Sequence, residues 1–242
     1  MSFHPHFWEM YLAAALMRAA RLVPRCEWTI RGRGPDLQMA QPKTWIEAVA
    51  PGPGTGPDAV TDGPPGVARD VPDDAIKLRL LTAISEKVEK VEKYVRDGTI
   101  NAFEPCVIAV NTGLAERTRG DLDVPRIVRC LLPFGHEVIE IDRNDGRVVG
   151  RWHDYRPAVA KLSGATVATT GFETPAWPRI GAVVHSSVDA FNGPQVIGSD
   201  FVIVHNPRAE NPLPHGVLRL GTEYWVEKQS IRGHRWWMSE SM

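Results

Sequence analysis

An α/β fold is the expectation from this sequence, and three stretches carry it. Residues 73–98 repeat apolar side chains at helical period, 105–111 form one continuous apolar run, and 36–50 hold two short extended runs around a Pro-containing turn. Long helices alternating with buried strands build layered α/β domains.

The elements follow in chain order. Residues 7–21, FWEMYLAAALMRAAR, are rich in helix formers, with Phe7, Tyr11, Ala14, Ala15 and Arg18 at three- and four-residue spacing, so a first helix is expected there. Residues 26–31 (CEWTIR), 36–40 (DLQMA) and 44–50 (TWIEAVA) each read as a short strand, separated by RGRGP and QPK. Half the positions of 51–72, PGPGTGPDAVTDGPPGVARDVP, are Gly or Pro, which excludes helix and ladder and leaves a long loop. Loops of this length inside compact domains are often lids over a site, and a tolerated surface insertion is the alternative.

The second helix is the clearest element. Asp73 and Asp74 stand at its start as acidic caps and Gly98 at its end, while Ile76, Leu80, Ile84, Val88, Val91 and Val95 form one stripe. PCVIAVN, 105–111, reads as a strand buried on both faces. Beyond it lies a C-terminal α/β extension, about 112–242. It holds a hairpin over 137–152 around Asn144-Asp145-Gly146, apolar strands at 180–187 and 200–206, and loops at WPRIG and NPLPHG. The two apolar strands are expected to extend the central sheet or build a dimer face. No internal repeat or interdomain linker is visible, so 1–242 reads as a single domain.

Composition narrows the function classes. The apolar fraction is 43%, enough to bury a core, and 28 Lys and Arg against 29 Asp and Glu leave a net charge of −1. A surface that is basic throughout is excluded; a local positive groove is not. Cys26, Cys106 and Cys130 are far apart, with no Cys-x-x-Cys pair, which disfavours zinc and a disulfide framework. The apolar stretch YLAAALM is too short to span a bilayer and lacks a basic leader, so a soluble, cytoplasmic protein is expected, with no membrane partner.

Chemistry concentrates at Asp36 and Glu47. Glu47 sits among Trp45, Ile46, Ala48, Val49 and Ala50, and acids seldom lie in such runs without a partner. Asp36, after Pro35, is a ligand candidate or an ordinary turn residue. Carboxylates one hairpin apart suit Mg2+, which prefers one or two such ligands plus water and phosphate. A structural ion pair is the alternative for Glu47, and a solvent-facing helix acid for Glu9.

Pro35-Asp36 on one strand, Glu47 on the next, and the order α-β-β-β-α-β resemble the core of the PD-(D/E)xK nucleases over roughly residues 7–111. That motif is an acid, a variable gap, then an acid, any residue and a lysine. FWEMYL, WIEAVAPGPG, IKLRLLTAISEK and VHNPRAENPLP also resemble bacterial proteins placed near these nucleases. The resemblance implies a restriction-endonuclease-like fold, a mixed sheet flanked by helices. It implies Mg2+ or Mn2+ held by Asp36, Glu47, the Ala48 carbonyl and Glu9, with DNA as substrate and a homodimer as an assembly found among similar enzymes. Val49 stands where the pattern has lysine, and a lysine on the following helix replaces it in some members. With Ile84 at the origin of an α-helical wheel, Val88 falls near about +40°, Lys87 about −60°, Tyr94 about −80° and Lys90 about −120°. Lys87, Lys90 and Tyr94 therefore share one flank of the buried stripe, where a lysine can bury its stem and present its head. Lys87 is the expected catalytic ammonium, against a solvated helix with pairs such as Glu86–Lys90. KVEKY, 90–94, is similar to the QxxxY motif of exonuclease-like relatives with Lys for Gln, which makes Lys90 and Tyr94 substrate-binding candidates.

Arg79 and Asn111 are further candidates for touching substrate. His185, His205 and Asp200 lie in or beside apolar strands and read as satisfied structural groups. Ser186 and Ser187 lack a Gly-x-Ser-x-Gly context, and no GxGxxG, Walker loop or HExxH occurs. Arg232, His234, Arg235, Trp236 and Trp237 either stack on bases or, as favoured, close a hydrophobic seam. The expected function is an Mg2+-dependent phosphodiesterase acting on DNA, in bacterial restriction or repair. The alternative is an inactive nuclease-fold module that binds nucleic acid or a protein.

Overall fold

A computed structural model describes residues 3–19, 34–61, 70–115, 124–228 and 230–236. Helix α1 (Phe3–Arg18) precedes a hairpin of β1 (Leu37–Ala40) and β2 (Lys43–Val49). Helix α2 (Asp73–Arg96) then crosses to β3 (Cys106–Asn111). Because β2 and β3 are parallel, a crossover is obligatory, and α2 supplies it as the middle of a βαβ unit. The second connection, from β3 to its parallel neighbour β8 (Ile180–Ser186), holds α3 (Arg126–Leu131) and two small hairpins. These are β4 (Phe134–Ile141) with β5 (Val148–Tyr155), and β6 (Ala158–Ala160) with β7 (Thr166–Ala168). The chain ends with β9 (Val202–His205), β10 (Thr222–Glu227) and β11 (Ser230–Arg235).

The architecture is α/β: a seven-stranded mixed sheet in the order β1-β2-β3-β8-β9-β10-β11, flanked by helices. The apolar strands expected over 180–187 and 200–206 do extend this sheet as β8 and β9. α2 and α3 cover one face, packing Leu80, Ile84, Val88, Ile127 and Leu131 on Ile108 and Val110. α1 covers the other, packing Trp8, Leu12 and Leu16 on Ile46, Val107 and Val184. Covered on both sides, β3 and β8 bury every residue, which is why they read as unbroken apolar runs.

Several expectations change in detail. The strand expected at 26–31 lies outside the described residues, so the described order is α-β-β-α-β. α1 buries His4, Trp8, Leu12, Ala15 and Leu16, one residue out of phase with the stripe expected through Phe7 and Tyr11. Trp8 wins the buried position because its indole N–H donates to the Ala109 carbonyl, 3.1 Å away, while its ring packs edge-on against Phe201. Asp73 makes no capping bond on its own helix; its carboxylate instead receives Arg126, Arg129 and Lys77. The 137–152 hairpin is longer than expected and forms its own two-stranded sheet.

A candidate acid and lysine site at the sheet edge

The β1–β2 register places the two acids. Leu37 pairs with Ile46 and Ala40 with Lys43, so the Gln41-Pro42 turn aligns the hairpin. One step beyond the last pair, Asp36 comes opposite Glu47. Alternation along β2 turns Trp45, Glu47 and Val49 toward α2, and Ile46 and Ala48 toward α1. Glu47 is therefore driven into an apolar interface by its own strand and is 1% exposed.

Charge compensation comes from the helix above. Lys87 Nζ donates to Glu47 Oε1 at 2.6 Å, and Lys90 Nζ donates to the same oxygen. The flank worked out from helical geometry holds: one turn of α2 presents both ammoniums to one carboxylate. Lys90 thus serves Glu47 rather than the i,i+4 partner Glu86. Burial disfavours the charge of Lys90, yet the hydrogen bond and charge of Glu47 outweigh it and hold its pKa above the usual range. Lys90 also lies over the Tyr94 ring, 5.5 Å from its centroid. Burial, with the charges of Glu47 and Asp36, raises the phenol pKa of Tyr94, whose hydroxyl donates to the Gly34 carbonyl at 2.9 Å. That bond ties α2 to the segment that delivers Asp36.

Asp36 is exposed, and its Oδ2 accepts the Ala48 N–H at 2.7 Å. In a strand the N–H and C=O of one residue point to the same side, so the Ala48 carbonyl is turned toward Asp36 as well. Glu9 reaches the same edge from α1. Burial raises its pKa first and the Asp36 carboxylate second, while His6 and Lys87 lower it. Glu9 thus lies within electrostatic range of Asp36 and Lys87, while both ammoniums are bonded to Glu47.

For a hard divalent cation at this edge, Glu47 offers the test of fit. Its Oε2 is buried and accepts no hydrogen bond, although a carboxylate takes donor partners at both oxygens. Asp36 and the Ala48 carbonyl would be the other oxygen donors on offer to a hard divalent cation, the donor type magnesium takes with water. Among the described residues no group of three His, Cys, Asp or Glu side chains is arranged around a metal position, with or without Glu9. Glu9 belongs to the helix on the opposite face, with His6 3.9 Å away, and acts on the site through its field.

The other candidates fall elsewhere. Arg79 donates to the Gly52 carbonyl at 3.1 Å and packs on Gly54, so it fastens the Gly/Pro loop to α2 instead of facing Glu47. Asn111 is fully buried: its Oδ1 meets His4 Nε2 at 2.8 Å and the Gly113 N–H at 2.8 Å, and its amide donates to the Val188 carbonyl. Its side chain is consumed in closing the end of β3. Asp200 accepts from Tyr11 and Ser186, and His185 pairs with Thr112. His205 bridges the Leu213 carbonyl and Glu223, as a structural histidine does. Arg232, His234 and Arg235 lie on β11 in full register with β10, and the Trp236 ring packs against His234 and Arg219; Trp237 lies outside the described residues.

Sequence reasoning missed the sharing of one Glu47 oxygen by two lysines. Its signal was present in the common flank of Lys87 and Lys90, whereas His205, His215 and Glu223, which gather around the 213–218 loop, left none. No helix among the described residues is long and apolar enough to cross a membrane. No family model, no curated protein and no solved structure matches the chain.

Proposed function

We propose that the protein is a divalent-cation-dependent phosphodiesterase acting on DNA, a member of the PD-(D/E)xK nucleases with a restriction-endonuclease-like core and a displaced motif lysine. The observation that carries this reading is the meeting of Lys87 from α2 with Glu47 from β2, one ladder step from Asp36. Mg2+ or Mn2+ would be held by Glu47, Asp36 and the Ala48 carbonyl. Bound there, it would polarise a phosphodiester and acidify water. Lys87 supplies the positive charge that Val49 cannot, and its stem, shielded beside the buried stripe, holds the ammonium where charge develops on phosphate. Lys90 and Tyr94 border the same edge and suit contact with the nucleic-acid backbone. With a net charge of −1, the chain would grip DNA along a restricted groove. The setting that suits this chemistry is cytoplasmic bacterial restriction or repair.

A second reading has its own observation. Both ammoniums are spent on Glu47 Oε1, which favours a nuclease-like scaffold kept for binding. Labelled plasmid, single-stranded DNA and RNA, each incubated with Mg2+, Mn2+ or chelator, separate the two. Metal-dependent cutting lost in Glu47→Ala is expected. Tight binding without cutting would replace the enzyme with the binding module, and neither activity would remove both.

A further inference from the structure

The two lysines on Glu47 are not equivalent. Lys87 is 19% exposed and Lys90 is 41% exposed. Lys87 lies within the field of a second acid, Glu9, and makes no other hydrogen bond among the described residues. Lys90 has a second partner already in place, the Tyr94 ring, and that ring is fixed by its hydroxyl bond to Gly34. One carboxylate oxygen carrying two ammoniums is over-neutralised, while the other oxygen of Glu47 accepts nothing. A divalent ion approaching Glu47 meets two like charges close by, and like charges at such range repel strongly in a partly buried site. One ammonium has to leave, and the more exposed one with an alternative seat leaves at less cost.

We propose that Lys90 is an internal stand-in for the cation: it neutralises Glu47 in the metal-free protein and yields that carboxylate to an incoming divalent ion while staying over Tyr94. This rests on the reading of Glu47 as a cation ligand. Affinity for the ion is then set by competition between the ion and Lys90 for one carboxylate. An arginine at position 90 keeps the charge but grips a carboxylate through two parallel N–H bonds, so it should compete harder.

The test is Mn2+ binding, followed by loss of the free-ion EPR signal and without any substrate. The proteins are wild type, Lys90→Met, Lys90→Arg, Glu47→Gln and the exposed control Lys93→Met, each first shown by thermal melting to be folded. Lys90→Met should bind about tenfold more tightly and Lys90→Arg several-fold more weakly, roughly a 1.4 kcal/mol effect for each tenfold step. Lys93→Met, with the same change in net charge, should match wild type, and Glu47→Gln should lose binding. If wild type binds Mn2+ but Lys90→Met only equals Lys93→Met, or Lys90→Arg equals wild type, the stand-in role is refuted and the cation site survives. If neither wild type nor Lys90→Met takes up Mn2+, the cation site itself is refuted.

Discussion

Stripping both ammoniums from Glu47 should destabilise the fold by more than the two single removals combined. With Lys87→Met, Glu47 keeps Lys90 on Oε1, so the loss is one charge-assisted hydrogen bond in a mostly buried setting, about 1.5 kcal/mol. With Lys90→Met the lost partner is 41% exposed, and solvent screening reduces the cost to about 0.5–1 kcal/mol. The double variant is a different case. Glu47, 1% exposed and beside Ile108 on the strand face that α2 covers, then has no cation at all, and an uncompensated buried charge costs about 3–5 kcal/mol. The coupling is therefore roughly 0.5–3 kcal/mol. Urea unfolding of the four proteins in chelator, at constant pH, gives it directly as a double-mutant cycle. Additive losses, within about 0.5 kcal/mol, would show that the lysines do not share one carboxylate.

Other outcomes follow from single sites. Asp73→Asn should cost about 2–4 kcal/mol at neutral pH, because the charge of Asp73 is taken from among the partners of Arg126 and Arg129, 3% and 8% exposed. Despite the opposing effect of burial, Lys77, Arg126 and Arg129 hold the Asp73 pKa well below its ordinary 3.8. Its contribution is thus fully present above about pH 4 and is lost as pH falls through the depressed value, so acid titration of wild type and variant should converge. Gly221→Ala should cost about 3 kcal/mol or more, read from thermal melts: φ is +52° and the added Cβ would lie 2.0 Å from the Phe201 carbonyl oxygen. Trp8→Phe should cost about 1–3 kcal/mol by denaturant unfolding, through the lost indole bond to Ala109 and the smaller ring in the α1 core.

Elements whose code is local were legible. α2 announces itself through a six-residue stripe, and β3 and β8 through apolar runs that only two-sided burial explains. The relation of Lys87 to Glu47 was legible too, because the wheel of α2 and the alternation of β2 are both periodic. What failed depended on distant partners. Asp73 has the look of a cap, yet besides Lys77 its partners lie 53 and 56 residues away on α3. The phase of α1 turned on which aromatic found a polar partner inside the sheet, and Phe7, Trp8 and Tyr11 offer no local sign of that. β10 and β11 escaped because an edge hairpin, with Glu223 inward and Arg232 outward, carries mixed polarity on both strands. The contact Arg79 makes is set by the loop that returns over it, which its place on the helix does not disclose.

The most direct measurement is the position of Mn2+ in crystals grown with the ion, located by anomalous scattering. A peak about 2.0–2.4 Å from Glu47 Oε2 is expected, with Asp36 and the Ala48 carbonyl also in its coordination shell, and with Lys90 drawn off Glu47 toward Tyr94. A fully occupied ion bound elsewhere, or Glu47 still clasped by both lysines at saturating Mn2+, would contradict that expectation.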